Sequence, residues 1–296
     1  MTALALALPA AAALWGTAAG ALLPRAAYRF SVPAGEEWRK ECPASHPIKG
    51  WLGRAHCGAC ATTRPAPTPT HSGVCATAPD GEPAAADGED APQGPPAPDR
   101  ESRTDGAGGN TRTATTHEPA SVPLALATAL VCAALALATG TRPELAVWLL
   151  LTPVGVLLAV VDFRVQRLPD PLTLPFAAAA LALLAVAALL PEHAGHWLTS
   201  LYAALALGAA YFVLFLVNPG GMGFGDVKLA LGTGAVLGWY GWPTVLLGTF
   251  AGFLLGALYG GALVVVRRAG RKTAIAFGPF LIAGAFAGLL VGAYTA

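Results

Sequence analysis

Long apolar runs separated by short polar segments dominate this chain. Eight runs are long enough, or nearly so, to cross a membrane as helices. They lie near 2–24, 122–140, 144–162, 172–190, 197–217, 227–240, 243–266 and 276–294. A bilayer core of about 30 Å requires roughly 20 apolar residues per helix, and the sixth run is shorter than that. Because a lipid-embedded segment must satisfy its own backbone hydrogen bonds, the pattern predicts an all-α polytopic membrane protein.

The composition supports this interpretation. The chain is 55% hydrophobic and only 12% charged, and its mean hydropathy is +0.56. Its 35 glycines suit membrane helices, whose backbones approach closely where side chains are small. The net charge of +1 says little about partners. We expect membrane lipid and no nucleic acid around the protein.

The first apolar run has two interpretations. It resembles a signal peptide in length, but its first positive charges, Arg25 and Arg29, follow the run instead of preceding it. A signal peptide requires a positive segment before its apolar core. We therefore expect a retained first helix over 1–24 with its N-terminus outside, and a cleaved signal peptide is the alternative.

The distribution of Lys and Arg predicts the orientation of the other runs. If Met1 lies outside, the inside segments are 25–121, 163–171, 218–226 and 267–275. They contain 16 of the 18 basic residues, and Lys228 lies just past the third segment, so 17 lie on the inner side. Positive charge accumulates on the cytoplasmic side of membrane proteins. We therefore expect a multi-pass protein of the bacterial cytoplasmic membrane with these segments in the cytoplasm.

The segment between the first two runs divides into two parts. Residues 25–60 mix aromatic and charged side chains and form a small cytoplasmic, cysteine-containing segment. Residues 61–121 contain no aromatic residue, Leu, Ile or Met, so they cannot bury enough apolar area to offset the entropy of ordering. We interpret 61–121 as a disordered linker and 122–296 as a seven-helix catalytic domain.

The cysteines of this intervening segment suggest a metal site. They are Cys42, Cys57, Cys60 and Cys75. Only Cys57 and Cys60 form a C-x-x-C pair, whereas a zinc ribbon normally has two such pairs. We consider the four cysteines candidate zinc ligands, with His46 or His56 as substitutes, and reduced cytoplasmic thiols are the alternative. Cys132 lies inside an apolar run and is expected to serve packing.

Three aspartates lie at the inner ends of apolar runs: Asp162, Asp170 and Asp226. Ionisable residues within membrane helices indicate function by default. Asp170 precedes a proline, which predicts a helix N-cap. Asp162 starts no helix, so capping does not explain it. Asp226 is able to cap the sixth helix, but capping alone does not require the glycines at 220, 221, 223 and 225.

Two carboxylates on one side of a membrane fit more than one chemistry. In an aspartic protease, one ionised carboxylate takes a proton from water and a protonated partner polarises the scissile carbonyl. A proton relay in a transporter also uses intramembrane acids. Transporter acids lie near the bilayer midplane, whereas Asp162 and Asp226 lie at helix ends, and this favours the protease.

Three ordered motifs resemble the type IV prepilin peptidases, membrane aspartic proteases of the GxGD class. They are "DFRVQRLPDPLTLP" from Asp162, "GMGFGDVKLALGTGAVLG" from Gly221 and "AFGPFLIAGA" from Ala276. The resemblance covers about 122–296. It implies that Asp162 and Asp226 are the catalytic pair at the cytoplasmic face. The residues expected to support the site or to contact substrate are Gly223, Gly225, Lys228, Gly278 and Pro279.

The resemblance also implies a substrate and an alternative activity. The substrate is the short basic leader of a prepilin or pseudopilin, which is cleaved just before the apolar helix of the mature protein. No cofactor is expected for peptidase activity. Family members with two C-x-x-C pairs also methylate the new N-terminus with S-adenosylmethionine. Because this chain has one pair, a bifunctional peptidase and N-methyltransferase is the alternative.

The glycine-rich stretch before Asp226 leads to a conformational expectation. Glycine adopts positive φ angles that other residues avoid. We therefore expect Gly223 and Gly225 to have backbone torsions closed to other residues. Such a loop keeps Asp226 movable, so that the two carboxyls converge when substrate enters.

Overall fold

The computed structural model describes residues 3–33, 35–54, 57, 60, 121–266 and 276–296. In these ranges the chain is all-helical, as predicted, with one isolated β-bridge between Glu41 and Pro47. The eight helices are α1 (Ala3–Phe30), α2 (Ser121–Thr139), α3 (Glu144–Val165), α4 (Asp170–Ala187), α5 (Trp197–Val217), α6 (Phe224–Gly238), α7 (Trp242–Val265) and α8 (Gly278–Thr295).

Seven of the eight described helices are long and apolar enough to cross a membrane. The exception is α6, whose 15 residues rise only about 22 Å. This helix corresponds to the apolar run that is short in the sequence. The multi-pass membrane character predicted from the apolar pattern is therefore confirmed, with a short sixth helix.

Helix α6 lies at the centre of the described helices, where it contacts α4, α5, α7 and α8. Nearly all of its residues beyond Gly225 are buried. Small residues make this packing possible. A Cβ atom at Gly232 would lie 2.6 Å from the Phe176 ring, and one at Gly234 would lie 2.6 Å from the carbonyl oxygen of Ala203. A short helix enclosed by others does not need the full length of the bilayer.

Helix α1 is longer than the predicted run of 2–24, because it continues to Phe30 despite the prolines inside it. It packs closely along α2. A Cβ atom at Gly16 would lie 2.7 Å from the carbonyl oxygen of Thr128, and one at Gly20 would lie 2.8 Å from the Cα atom of Ala125. Small residues at this contact allow the close backbone approach typical of membrane helix pairs.

The last turns of α1 organise the segment that follows. The Arg25 guanidinium donates hydrogen bonds to the carbonyl oxygens of Lys49 at 2.8 Å, Leu52 at 3.2 Å and Arg54 at 3.3 Å. Arg29 donates to the Gly50 carbonyl at 2.7 Å. The loop around residues 48–54 therefore encloses two cations of α1, which explains why this helix continues past its apolar run.

Aromatic side chains pack this segment against α1. The Phe30 ring stacks on Trp51 at 4.9 Å and meets the edge of Trp38 at 5.1 Å. The Arg29 guanidinium lies 3.9 Å from the centre of the Trp51 ring. These contacts give the described part of 25–60 an ordered structure held by few apolar residues.

Several expectations fall outside the described residues. They include Cys75, His56, the predicted linker up to residue 120 and the basic inner loop at 267–275. The expectations for these residues remain predictions.

Candidate functional site

Asp162 lies in the last turn of α3, and its carboxyl is buried with 4% exposure. Its Oδ2 atom accepts a hydrogen bond of 3.0 Å from the backbone N–H of Gly278, the first residue of α8. This N–H belongs to the N-terminal turn of a helix, where no intrahelical acceptor is available. The start of α8 therefore orients the carboxyl of Asp162.

Asp226 is held in a similar way by the start of its own helix. It occupies the third position of α6, is 6% exposed, and accepts a hydrogen bond of 3.2 Å from the Gly223 N–H at Oδ2. The Asp226 N–H donates in return to the Gly223 carbonyl at 3.0 Å. This reciprocal pair is a capping box without a side chain at the N-cap. Asp226 therefore does contribute to the start of α6.

The two aspartates line one cleft of about 960 Å³. Its walls are the turn after α3, the loop 218–225 and the residues just before α8, including Phe277. The pair expected from the sequence thus shares one polar cleft at the ends of three helices.

The prediction that the glycines before Asp226 adopt backbone torsions closed to other residues is wrong. None of the glycines at 220, 221, 223 and 225 is among the described residues with positive φ, and Gly223 has φ −77° and ψ 146°. Gly225 serves close packing instead, since a Cβ atom there would lie 2.8 Å from Cβ of Leu168. The glycine at 225 is required by the neighbouring turn and not by its own torsions.

Asp170 also differs from the expectation. The N-cap of α4 is Pro169, and Asp170 is the first helical residue. The Asp170 carboxylate instead forms an ion pair of 2.6 Å with Nζ of Lys228. Lys228 lies two residues after Asp226, and its ammonium is 5.0 Å from the centre of the Phe224 ring. This pair ties the start of α4 to the start of α6.

Gly278 and Pro279 begin α8 beside the site. A Cβ atom at residue 278 would lie 2.7 Å from Oδ2 of Asp162, so glycine is needed for the carboxyl to reach the backbone. Pro279 fits the first turn of the helix, where its missing N–H leaves no bond unmade. It lines a separate apolar cavity of about 300 Å³ and not the cleft.

Two residues beside the site were not predicted from the sequence. Arg167 lines the cleft, donates a hydrogen bond of 2.9 Å to the Pro33 carbonyl and lies 4.6 Å from the centre of the Trp38 ring. Tyr211 of α5 is buried, and its ring lies 6.0 Å from that of Phe277, which lines the cleft. The tyrosine has a weak signal in the sequence, a hydroxyl inside an apolar run, but the Arg167 contact has none.

A second cluster lies in the segment after α1. The ligand atoms of Cys42, His46, Cys57 and Cys60 all lie within 4.8 Å of one another. Sγ of Cys42 is 3.7 Å from Sγ of Cys60 and 3.6 Å from Nδ1 of His46, and Nδ1 is 3.3 Å from Sγ of Cys60. Ligands bound tetrahedrally at about 2.3 Å, as in zinc–thiolate sites, lie about 3.8 Å apart. The cluster therefore has the dimensions of a zinc site, with a histidine as its fourth member.

The loop between Cys42 and His46 brings these two ligands together. The backbone N–H of Cys42 donates a hydrogen bond of 2.9 Å to the His46 carbonyl, and Ser45 has a positive φ of 58°. Burial acts to raise the pKa of Cys42, but backbone hydrogen bonds from His46 and Ala44 outweigh it and lower the pKa to about 6. A thiolate is the form of cysteine that binds metal.

Comparisons with known proteins agree with the motifs. A family model described as the type IV leader peptidase family matches residues 149–261. Proteins named prepilin leader peptidase/N-methyltransferase are similar over part of their length. The one from Aeromonas salmonicida (strain A449) is 36% identical over 152 residues, covering 49% of this chain and 48% of the relative.

Two further relatives with the same name show similar coverage. The protein from Escherichia coli (strain K12) is 36% identical over 139 residues, 45% of this chain and 57% of the relative. The protein from Bacillus subtilis (strain 168) is 33% identical over 172 residues, which cover 56% of this chain and 64% of the relative.

The matches thus span about half to two thirds of the length of these relatives. No solved structure matched the chain. The family region 149–261 contains both cleft aspartates, Asp162 and Asp226. Over this region, the chain is similar to the type IV leader peptidase family.

Proposed function

We propose that the chain is an aspartic endopeptidase that removes the basic leader from type IV prepilins or pseudopilins. The observation that carries the proposal is the shared cleft. In it, Asp162 and Asp226 each accept a hydrogen bond from a backbone N–H at the start of a helix. Two carboxyls beside one polar cavity are the minimum machinery of an aspartic protease.

The reaction follows from the chemistry of two neighbouring carboxyls. Like-charge repulsion and burial favour a state in which the pair holds one proton. The ionised carboxylate takes a proton from a water molecule, which attacks the scissile carbonyl while the protonated carboxyl polarises its oxygen. Collapse of the tetrahedral intermediate then releases the leader and the new amino terminus. The similarity to proteins named prepilin leader peptidase supports this substrate class.

The charge distribution supports a cytoplasmic location for the cleft. Asp162 is near the end of α3, and Asp226 is near the start of α6. Both ends border segments on the side that carries most of the Lys and Arg residues. The positive-inside rule therefore supports an active site at the cytoplasmic face of a bacterial cytoplasmic membrane. A transporter relay is less well supported, because the acids lie at helix ends and not near the midplane.

We propose zinc as a structural ion for the cysteine–histidine cluster. Cys42, His46, Cys57 and Cys60 supply four ligand atoms, which is the full set of a closed structural site. The ion would join the loop 42–46 to the C-x-x-C pair and stabilise the segment that packs on α1. Cys75 would then be unnecessary as a ligand.

The bifunctional alternative remains open for the same segment. The relatives are named as N-methyltransferases as well as peptidases, and such methyl transfer uses S-adenosylmethionine as the methyl donor. The aspartate cleft carries the peptidase proposal and gives no support to methyl transfer. The two activities are separable in an assay, because methylation adds the mass of one methyl group to the cleaved product.

The experiment that tests the proposal uses purified protein in lipid nanodiscs and a prepilin with a basic leader. Mass spectrometry of the product locates the cleavage site and reports methylation when S-adenosylmethionine is added. We expect cleavage at the junction between leader and apolar helix. A substrate with its leader Lys and Arg residues replaced by Gln serves as the control. Absence of cleavage across a panel of prepilins and pseudopilins would contradict the proposal.

A further inference from the structure

Tyr211 carries a buried hydroxyl that the proposed mechanism does not use. The residue lies in α5, six positions before the helix ends at Val217, and is 1% exposed. Among the described residues, its hydroxyl has no hydrogen-bond partner. Buried polar groups in folded proteins are almost always hydrogen-bonded, so an exception requires an explanation.

The aromatic ring of Tyr211 is held firmly between neighbouring rings. It stacks on Phe253 at 5.8 Å and lies 6.0 Å from Phe277, and those two rings are 5.1 Å apart. Phe277 lines the aspartate cleft and immediately precedes Gly278, the donor to Asp162. Tyr211 is therefore fixed behind the wall of the cleft, and a phenylalanine would fill the same space without an unpaired oxygen.

Asp226 has the acceptor that the hydroxyl lacks. Helices α5 and α6 are in contact, and the rings of Phe215, one turn after Tyr211, and Phe224, two residues before Asp226, lie 5.5 Å apart. Within the described part of the chain, the Asp226 carboxylate accepts a single hydrogen bond, from the Gly223 N–H to Oδ2. An ionised carboxylate accepts several hydrogen bonds, so Oδ1 retains acceptor capacity. A buried donor and a buried acceptor thus lie on adjacent helices without being joined.

We propose that Tyr211 is a positioning residue for Asp226, whose carboxylate accepts a hydrogen bond from the Tyr211 hydroxyl. In the substrate-free protein the hydrogen bond alternates with the helix-capping position of the Asp226 side chain, and it prevails when the side chain turns toward Asp162 and the substrate. It orients the carboxylate and stabilises its ionised form. This inference rests on the proposed function and assigns Asp226 the part of the base that takes the proton from water.

The substitution Tyr211→Phe tests the proposal with the loss of a single oxygen atom. We expect kcat for leader cleavage to fall by roughly 10- to 100-fold, less than loss of a direct donor to a transition state, while KM stays within about twofold. The melting temperature should stay the same or rise, because packing is retained. Tyr202→Phe is the matched control, since Tyr202 lies on the same helix but is 57% exposed; it should change neither quantity.

A thermal double-mutant cycle tests the contact without any assay of activity. It compares the melting temperatures of the wild type, Tyr211→Phe, Asp226→Ala and the double variant. If the hydroxyl binds the carboxylate, Tyr211→Phe raises the melting temperature more in the Asp226→Ala background, where the hydroxyl has lost its acceptor.

The two readouts separate failure of this inference from failure of the proposed function. A wild-type protein that cleaves no prepilin contradicts the proposed function, and the thermal cycle then still decides whether Tyr211 contacts Asp226. An active wild type with an unchanged kcat in Tyr211→Phe overturns the inference alone. Additive effects on melting temperature overturn it as well.

Discussion

The backbone N–H of Gly278 donates a hydrogen bond of 3.0 Å to Oδ2 of Asp162, across 116 positions of sequence. This bond joins the end of α3 to the start of α8. It places one carboxyl of the cleft under the control of a helix N-terminus, where free N–H groups favour negative charge. The motif that begins at Ala276 therefore contributes to the site through its backbone.

The hydrogen bond from Gly278 to Asp162 predicts that even the smallest substitution at residue 278 lowers the cleavage rate severely. In Gly278→Ala the added methyl would lie 2.7 Å from Oδ2 of Asp162, so the carboxyl must move. A displacement of about 1 Å costs roughly a hundredfold in rate. We expect such a loss of cleavage with a small change in melting temperature. Gly261→Ala is the control, because a Cβ atom there meets nothing within 4 Å. Normal activity of Gly278→Ala would show that Asp162 does not need this position.

Gly225 predicts a different outcome, because the steric conflict there is with a packed side chain. A Cβ atom would lie 2.8 Å from Cβ of Leu168, and neither group is able to move without its backbone. Gly225→Ala should therefore lower cleavage rate and melting temperature together, and Gly225→Val should lower both further. Gly155→Ala, a helical glycine with open space around it, should leave both unchanged or raise stability slightly. Loss of activity with unchanged melting would restore the mobile-loop interpretation.

The ion pair between Asp170 and Lys228 predicts a moderate effect. The Asp170 side chain is 63% exposed and that of Lys228 is 17% exposed, so the pair contributes only about 0.2–1 kcal/mol to stability. Its role is to hold the first turn of α6 relative to α4. We expect Asp170→Asn and Lys228→Gln each to lower kcat severalfold, with no further loss in the double variant. Independent, multiplying losses in kcat would mean that the two residues act separately.

The cysteine–histidine cluster predicts one zinc ion per chain with His46 among its ligands. Elemental analysis of the purified protein should find zinc in the wild type and in Cys75→Ser and Cys132→Ala. Zinc should be lost or reduced in Cys42→Ser, His46→Ala and Cys60→Ser. Retention in His46→Ala together with loss in Cys75→Ser would favour a four-cysteine site. Absence of zinc from the wild type would support the reduced thiols.

The helical fold was predictable because each helix carries its own signal. Apolar runs of bilayer length identify α2 to α5, α7 and α8 within a few residues. Helix α1 was predicted too short, because the sequence shows Arg25 as a charge after an apolar run. The carbonyl oxygens that accept its hydrogen bonds come from residues 24 to 29 positions later. No local pattern reveals such acceptors.

The site was predictable only where the type of a residue itself indicates its chemistry. Asp162 and Asp226 were identified as ionisable groups at helix ends, and they do line one cleft. The Gly278 hydrogen bond, the Lys228 ion pair and the burial of Tyr211 depend on which helix ends meet in space. The glycines before Asp226 were recognised as important, but the predicted reason was wrong. Close packing against Leu168, and not a positive φ, explains the glycine at 225.

The central claim is that Asp162 and Asp226 act together as the catalytic pair. The most direct measurement is the rate of leader cleavage by Asp162→Asn and Asp226→Asn in nanodiscs, beside the wild type and Asp170→Asn. An amide preserves size but neither takes a proton from water nor supplies one to the carbonyl. The account predicts no detectable cleavage by either dyad variant, with melting temperatures close to that of the wild type and partial activity in Asp170→Asn. Near-normal cleavage by Asp162→Asn or Asp226→Asn would contradict it.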